Sequence, residues 1–261
     1  MTADLALRAI EALLAVSVAV QTLEHLATRR ALSPDGVWCW SVVRDEFAPL
    51  PSGLRRVLDL LLDWPAVLGL LGLRLGAALA LGTWGGAVPA ALVLASTALV
   101  CLRFRGLYNG GSDYMTVHVG LALTVARLFP EHTFMVDAAL GWIALQTLLS
   151  YGMAGLAKVR APAWRSGDAL AAFLSSPRYA VPLAVRRLAA SKPVMRIASL
   201  GVIGFELSAA LVLFAPDTAV VTWLVIAATF HLVNAWVFGL NRFFFAWLAA
   251  YPSVVYWATR V

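Results

Sequence analysis

"PAVLGLLGLRLGAALALGT", from Pro65 to Thr83, is an unbroken apolar run with one ionisable side chain, Arg74. As a helix rising ~1.5 Å per residue it spans about 30 Å, the thickness of a bilayer's hydrocarbon core. The rest of the chain repeats this pattern. Apolar blocks of roughly 17 to 25 residues, the length a bilayer demands, recur through all 261 residues. Hydrophobic residues make up 61% and charged residues 13%, where a soluble protein carries about 25% charged. The blocks do not alternate as strands of an outer-membrane barrel do. The expected fold class is therefore all-α: a polytopic transmembrane helical bundle of about eight membrane segments, in a single domain covering 1–261.

The eight segments are about 5–27, 65–83, 87–102, 114–129, 134–157, 197–215, 218–238 and 243–258. Two long polar stretches interrupt them, Thr28 to Asp63 and Lys158 to Arg196. In the first, "SPDG" marks a turn, and "DEFAPLPSGLRR" reads as a loop or a helix lying on the surface. "RFRGLYNGGSD" separates the third segment from the fourth. The net charge of +6 follows from loop asymmetry rather than from nucleic-acid binding. Arg29, Arg30, Arg44, Arg55, Arg56, Arg103, Arg105, the Lys158–Arg196 stretch and Arg242 all fall after odd-numbered segments. The positive-inside rule then puts those loops in the cytoplasm and both termini outside, for a multi-pass protein of the inner (plasma) membrane. Cys39 and Cys101 form no CxxC pair, and nothing in the pattern calls for a metal. The first block carries Arg8, Glu11, Gln21 and Glu24 and shows no small-residue cleavage site, so it is not laid out as a signal peptide.

Ionisable groups at membrane depth are costly, and each is a candidate for function. Glu11 lies three residues after Arg8 and is expected to pair with it. Gln21, Glu24 and His25 fall near the end of their segment, where solvent can serve them. Arg127 can snorkel from a helix end, whereas Arg74 lies deeper and needs a partner. Glu206, in "GVIGFELSAALVLF", must be protonated, paired or hydrated; packing through Ser208 and Ala209 is the plainer role of its segment. His231 and Asn234, three residues apart, share a helix face, either as interhelical polar contacts or as a site. In "YNGGSDYMTVHVG", Gly110 and Gly111 permit a sharp turn, Ser112 and Asp113 suit a helix N-cap, and Tyr114 and His118 share a face.

"LLSYGMAGLAKVRAPAWRSG", Leu148 to Gly167, contains the first basic residue after a long apolar run, Lys158. A lysine at the end of a span is ordinarily an interfacial anchor. The small residues before it, however, suit packing against protein. Tyr151, seven residues back, falls on the same face, and a lysine in a partly dry place can serve as a base.

Three segments resemble the HTTM family, the membrane domain shared by vitamin K-dependent γ-glutamyl carboxylases and bacterial relatives. They are "YGMAGLAKVRAPAWRSG", "FELSAALVLF" and "FHLVNAWVFGLNRFFFAWLAAYPSVVYW". The resemblance implies that Lys158 and His231 are catalytic. It implies supporting or quinol-binding places for Ser112, Trp164, Glu206, Asn234 and Phe238, to which helix-face spacing adds Tyr151 and Tyr114. It also implies a cofactor, reduced vitamin K or a menaquinol-type naphthoquinone, acting with O2 and CO2. In the carboxylases the lysine acts as base toward the quinol. The oxygenated product removes a γ-proton from a peptide glutamate, and the carbanion takes up carbon dioxide. A membrane site suits a lipophilic quinol and shelters a strong base from water, and donors such as His231 and Asn234 suit oxyanions.

The chain departs from the carboxylases in three respects. Ser112 stands where they carry a histidine, and His118 is no simple replacement, because six residues along a helix is roughly 240° of rotation and ~9 Å of rise. The chain ends at Val261 without their extramembrane domain, which points to a partner subunit, a short peptide, or a related substrate other than a protein glutamate. Its charge pattern turns Lys158 toward the cytoplasm, whereas the carboxylases act on the lumenal side. The expected partners are the lipid bilayer, a quinone and such a peptide or subunit. Beside the enzyme stands a second expectation, a non-catalytic membrane partner in the maturation, export or immunity of a secreted peptide. A transporter has no support, since no inverted repeat or paired broken helices are visible.

Overall fold

The computed structural model describes residues 1–104 and 110–260. Every regular element among them is helical. The 105–109 linker, with its expected interior Arg105, lies outside the described residues. Two compact units make up the chain, Ala3–Leu140 and Gly141–Val261, the latter grouped with Met1–Thr2.

The amino-terminal unit contains α1 (Ala3–Ala27), α2 (Trp40–Val43), α3 (Ser52–Leu62), α4 (Ala66–Thr83), α5 (Ala87–Arg103) and α6 (Gly111–Leu128). Helix α1 packs on α4 and α6, and α5 on α4 and α6. The polar stretch folds over one end of this bundle. There Leu32, Trp40, Phe47, Leu58 and Leu62 join Val67 and Leu71 of α4 and Val100 of α5 in a core. Helix α3 is the surface helix expected of "SGLRR", with Leu58 and Leu62 turned inward and Leu60 outward.

Buried polar groups in this unit are matched to one another. Glu11 accepts from Arg8 at 3.0 Å, as its spacing predicts, and also from the Gly86 amide at 2.9 Å and from Arg127 at 2.8 and 2.9 Å. Arg127 therefore does not snorkel. A carboxylate already buried on α1 provides a charge partner that water at the helix end would provide less well. Gly85 allows this cluster to close. Its φ is +71°, and a Cβ there would lie 2.1 Å from Arg8 Nη1. Arg74 finds its partners on α1 and α5, donating to Gln21 Oε1 at 2.9 Å, Thr22 at 3.1 Å and Thr97 at 3.3 Å. Gln21 and His25 are thus buried rather than solvated, because the deep guanidinium recruits the first and Phe104 stacks on the second at 4.5 Å. The N-cap of α6 is Gly110, not Ser112 or Asp113. Both lie buried inside the first turn, where an acidic side chain suits the positive end of the helix.

Helix α7 (Thr133–Arg160) leads into the carboxy-terminal unit. It is followed by α8 (Pro162–Ser166), α9 (Asp168–Ser175), α10 (Leu183–Leu188), α11 (Lys192–Ser208) with a 3₁₀ extension to Phe214, α12 (Asp217–Phe238) and α13 (Asn241–Ala258). Helix α11 carries α8 and α9, and α12 packs along α13.

Each of the eight apolar segments is a helix. Four helices among the described residues are long and apolar enough to cross a bilayer: α4, α7, α11 with its extension (Lys192–Phe214), and α12. Helix α5, at 17 residues, is shorter. Helices α1 and α6 bury Glu11, Gln21, Ser112, Asp113 and Thr116, and α13 contains Pro252.

Candidate functional site

The site begins with a glycine. At Gly155 a Cβ would lie 2.9 Å from the Leu207 amide nitrogen and 3.0 Å from Glu206 Cβ. Only a residue without a side chain lets α7 and α11 approach so closely, which bears out the reading that "YGMAG" packs against protein. Lys158, one turn further along α7, is thereby brought to Glu206. Its ammonium donates to both carboxylate oxygens, at 2.7 and 2.8 Å. The glutamate side chain is 3% exposed and that of the lysine 19%. A buried carboxylate needs such a partner, so the open choice for Glu206 resolves to a paired group.

Trp164 closes one side of the lysine. Ala161 and Pro162 turn the chain from α7 into α8, and the ammonium lies 5.1 Å from the Trp164 ring centre in a cation–π contact. The Ser199 hydroxyl on α11 holds α8 in place by donating to the Trp164 carbonyl. Gly167, at φ +86°, then turns the chain past Arg196, whose amide nitrogen would be 2.5 Å from a Cβ at that position. These two contacts are the physical reason for Trp and Gly following the lysine at that spacing.

Deeper in the unit, Tyr151, His231 and Tyr251 join α7, α12 and α13. The Tyr151 hydroxyl lies 2.7 Å from His231 Nε2 and 2.8 Å from the Tyr251 hydroxyl. Trp223 and Phe205 set edge-on against the Tyr151 ring, at 4.9 and 5.5 Å, and fix its orientation. Trp223 is in turn fixed by donating from Nε1 to Ser208 at 2.9 Å, so the serine of "FELSA" supports the site through packing.

Between these two groups lies a cavity of about 330 Å³. Its polar lining includes Ser150, Lys158, Glu206, Tyr151, His231 and Asn234, and its walls are aromatic, among them Trp164, Phe230, Phe243 and Trp247, and aliphatic, as at Leu170 and Val202. Tyr179 packs edge-on against Phe238 at 5.2 Å. Seven of the nine residues singled out from the sequence line this one space: Lys158, His231, Tyr151, Trp164, Glu206, Asn234 and Phe238. The other two belong to the amino-terminal unit. Ser112 is buried in α6 and Tyr114 is exposed on it.

Sequence reasoning passed over Phe243, Trp247 and Tyr251. Their four-residue spacing, which puts three aromatic groups on one helix face, was the available signal.

No curated protein and no solved structure shows a significant match to the chain. A family model does match. It covers residues 136–257 and is that of the HTTM domain. The match takes in the lysine, "FELSA" and "FHLVN" segments and stops short of Ser112 and Tyr114. The apolar spans are those of a membrane protein, and residues 136–257, which build the cavity, are similar to the HTTM domain.

Proposed function

We propose that this protein is a multi-pass inner-membrane enzyme of the carboxylase type, with Lys158 as a base toward a reduced naphthoquinone held in the cavity. The observation that carries the reading is the Lys158–Glu206 pair facing a space walled mainly by aromatic and aliphatic side chains. The residues present fit such a group. The volume is at the small end of ligand sites, which run about 300–1,000 Å³. The walls are flat aromatic faces, and His231 Nδ1 is buried with no partner among the described residues. When bound, a reduced naphthoquinone supplies, with oxygen, the strongly basic chemistry that removes a glutamate γ-proton and lets the carbon take up carbon dioxide.

The chain's own contribution is proton handling and exclusion of water. The pair holds one proton that either Lys158 Nζ or a Glu206 oxygen can carry. With the proton on Glu206, the free amine takes one from a hydroxyl bound in the cavity. The ammonium then remains beside the oxygen that has become negative. His231 and Asn234 line the space from α12 and offer polar contacts to ligand oxygens. The aromatic walls keep water from the reacting atoms. The test is quinol oxidation by the purified protein in lipid nanodiscs with menadiol and oxygen. Turnover in the wild type that is lost in Lys158→Ala supports the reading. Equal rates in both, or none in either, refute it.

The closed ion pair also favours a second reading, that of a non-catalytic membrane partner for a secreted peptide. In that case Lys158 and Glu206 clamp α7 to α11 and do no chemistry. A stable peptide or subunit recovered from native membranes, unaffected by Lys158→Met with Glu206→Leu, would support it.

A further inference from the structure

The Tyr251–Tyr151–His231 chain can be hydrogen-bonded in either direction, or with Tyr151 accepting from both neighbours, which leaves its own proton and the Nδ1 lone pair unmatched; counting protons separates these arrangements. Every hydroxyl and ring nitrogen in the chain is buried, and the two contacts of 2.8 and 2.7 Å are the only partners these groups have among the described residues. In the first direction Tyr251 donates to Tyr151, Tyr151 donates to His231 Nε2, and the imidazole proton sits on Nδ1. One group, the Nδ1 donor, is then left without a protein partner. In the reverse direction Nε2–H donates to Tyr151 and Tyr151 donates to Tyr251. That leaves both the Tyr251 hydroxyl proton and the Nδ1 lone pair unmatched. Buried polar groups without partners are costly, so the direction that leaves fewer of them prevails.

We infer that Tyr151, its own oxygen occupied by Tyr251, acts as a positioning residue that fixes His231 as the neutral Nδ1–H tautomer. A second-layer hydrogen bond of this kind decides which ring nitrogen is available. His231 is thereby a neutral donor whose Nε2 is already committed to a phenol. It can serve a ligand only by donating a hydrogen bond. The ligand group it suits is an acceptor oxygen, a carbonyl or a developing anion, and not a hydroxyl seeking a base. The proton-accepting role in this cavity accordingly falls to Lys158 and Glu206. That assignment of roles rests on the quinol reading above, whereas the tautomer does not.

The experiment is magic-angle-spinning NMR of ¹⁵N-histidine-labelled protein in lipid, without quinone. The chain has four histidines, and the His231 signals are those lost in His231→Gln. The expected result is a protonated Nδ1 and an unprotonated Nε2 in wild type. Tyr251→Phe should keep that pattern, because Tyr151 still donates. Tyr151→Phe should lose it, with proton density appearing on Nε2. A wild-type Nε2–H, or a tautomer unchanged in a folded Tyr151→Phe, overturns the inference. Should Tyr151→Phe not fold, a wild-type Nε2–H or a Tyr251→Phe spectrum with the proton moved to Nε2 overturns it equally. Because no quinone is present, the result is independent of whether menadiol is turned over.

Discussion

Both oxygens of the Glu206 carboxylate accept from the Lys158 ammonium, across a gap that Gly155 makes narrow enough to close. A cation and its carboxylate partner on separate helices are thus held by the same packing contact. Stability and chemistry at this site are separable only by changing both partners.

Lys158→Met alone leaves a carboxylate that is 97% buried without its cation. Loss of about 3–5 kcal/mol is expected for breaking such a pair from one side. Lys158→Met combined with Glu206→Leu should regain most of that stability, since apolar groups of similar volume replace both charges. Quinol turnover should be absent in the single and the double variant alike. Thermal unfolding in detergent, with menadiol oxidation measured in parallel, checks both parts.

The two glycines of "YGMAG" should respond in opposite ways. Gly152 has open space at its Cβ position, so Gly152→Ala should stabilise α7 by about 0.5–1 kcal/mol through helix propensity. Gly155→Ala puts a methyl group against the Leu207 amide and should destabilise by about 1–3 kcal/mol as α7 and α11 are forced apart. Its turnover should fall as well, because the 2.7 Å contact opens. A shared direction of change in melting temperature would contradict this account.

Ser208 should behave as a remote support of the site. Ser208→Ala removes the acceptor of Trp223 Nε1, leaving a mostly buried N–H unmatched at a cost of about 1–3 kcal/mol. Tyr151, held edge-on by that indole, should loosen. Increased exchange of the Tyr151 hydroxyl proton is the measurement.

Glu11 and Asp4 share the cation Arg127, but in very different surroundings. The Glu11 side chain is 2% exposed and that of Asp4 79%. Glu11→Ala should cost about 3–5 kcal/mol, as for other one-sided losses from buried pairs. Asp4→Ala should cost less than about 1 kcal/mol. Melting curves of the two variants, recorded in the same detergent, provide the comparison.

The positions of all eight long helices were legible in the sequence, because apolar length is a one-dimensional signal that a bilayer imposes directly. Of the eight, four among the described residues are long and apolar enough on their own to cross. Crossing depends on which face of a helix meets lipid and which meets protein, and α1 and α6 turn carboxylates, amides and hydroxyls inward. The partners of Arg127, Arg74 and Glu206 were invisible for the same reason. Each lies on another helix, 116 residues away in the case of Arg127 and Glu11. Lys158, Glu206 and His231 were found together because three short motifs were read jointly. Tyr251 was missed because a tyrosine in an aromatic helix is unremarked until a second hydroxyl is seen against it. Ser112 was placed by analogy with a histidine, in a region that the HTTM match does not reach.

In the order of synthesis α7 precedes α11, so Lys158 is made before the glutamate it pairs with. Once α11 has arrived and Gly155 has docked against Leu207, the same ammonium is drawn in against Glu206 and Trp164. The ion pair is therefore a late contact in the order of synthesis, because its two halves are made 48 residues apart.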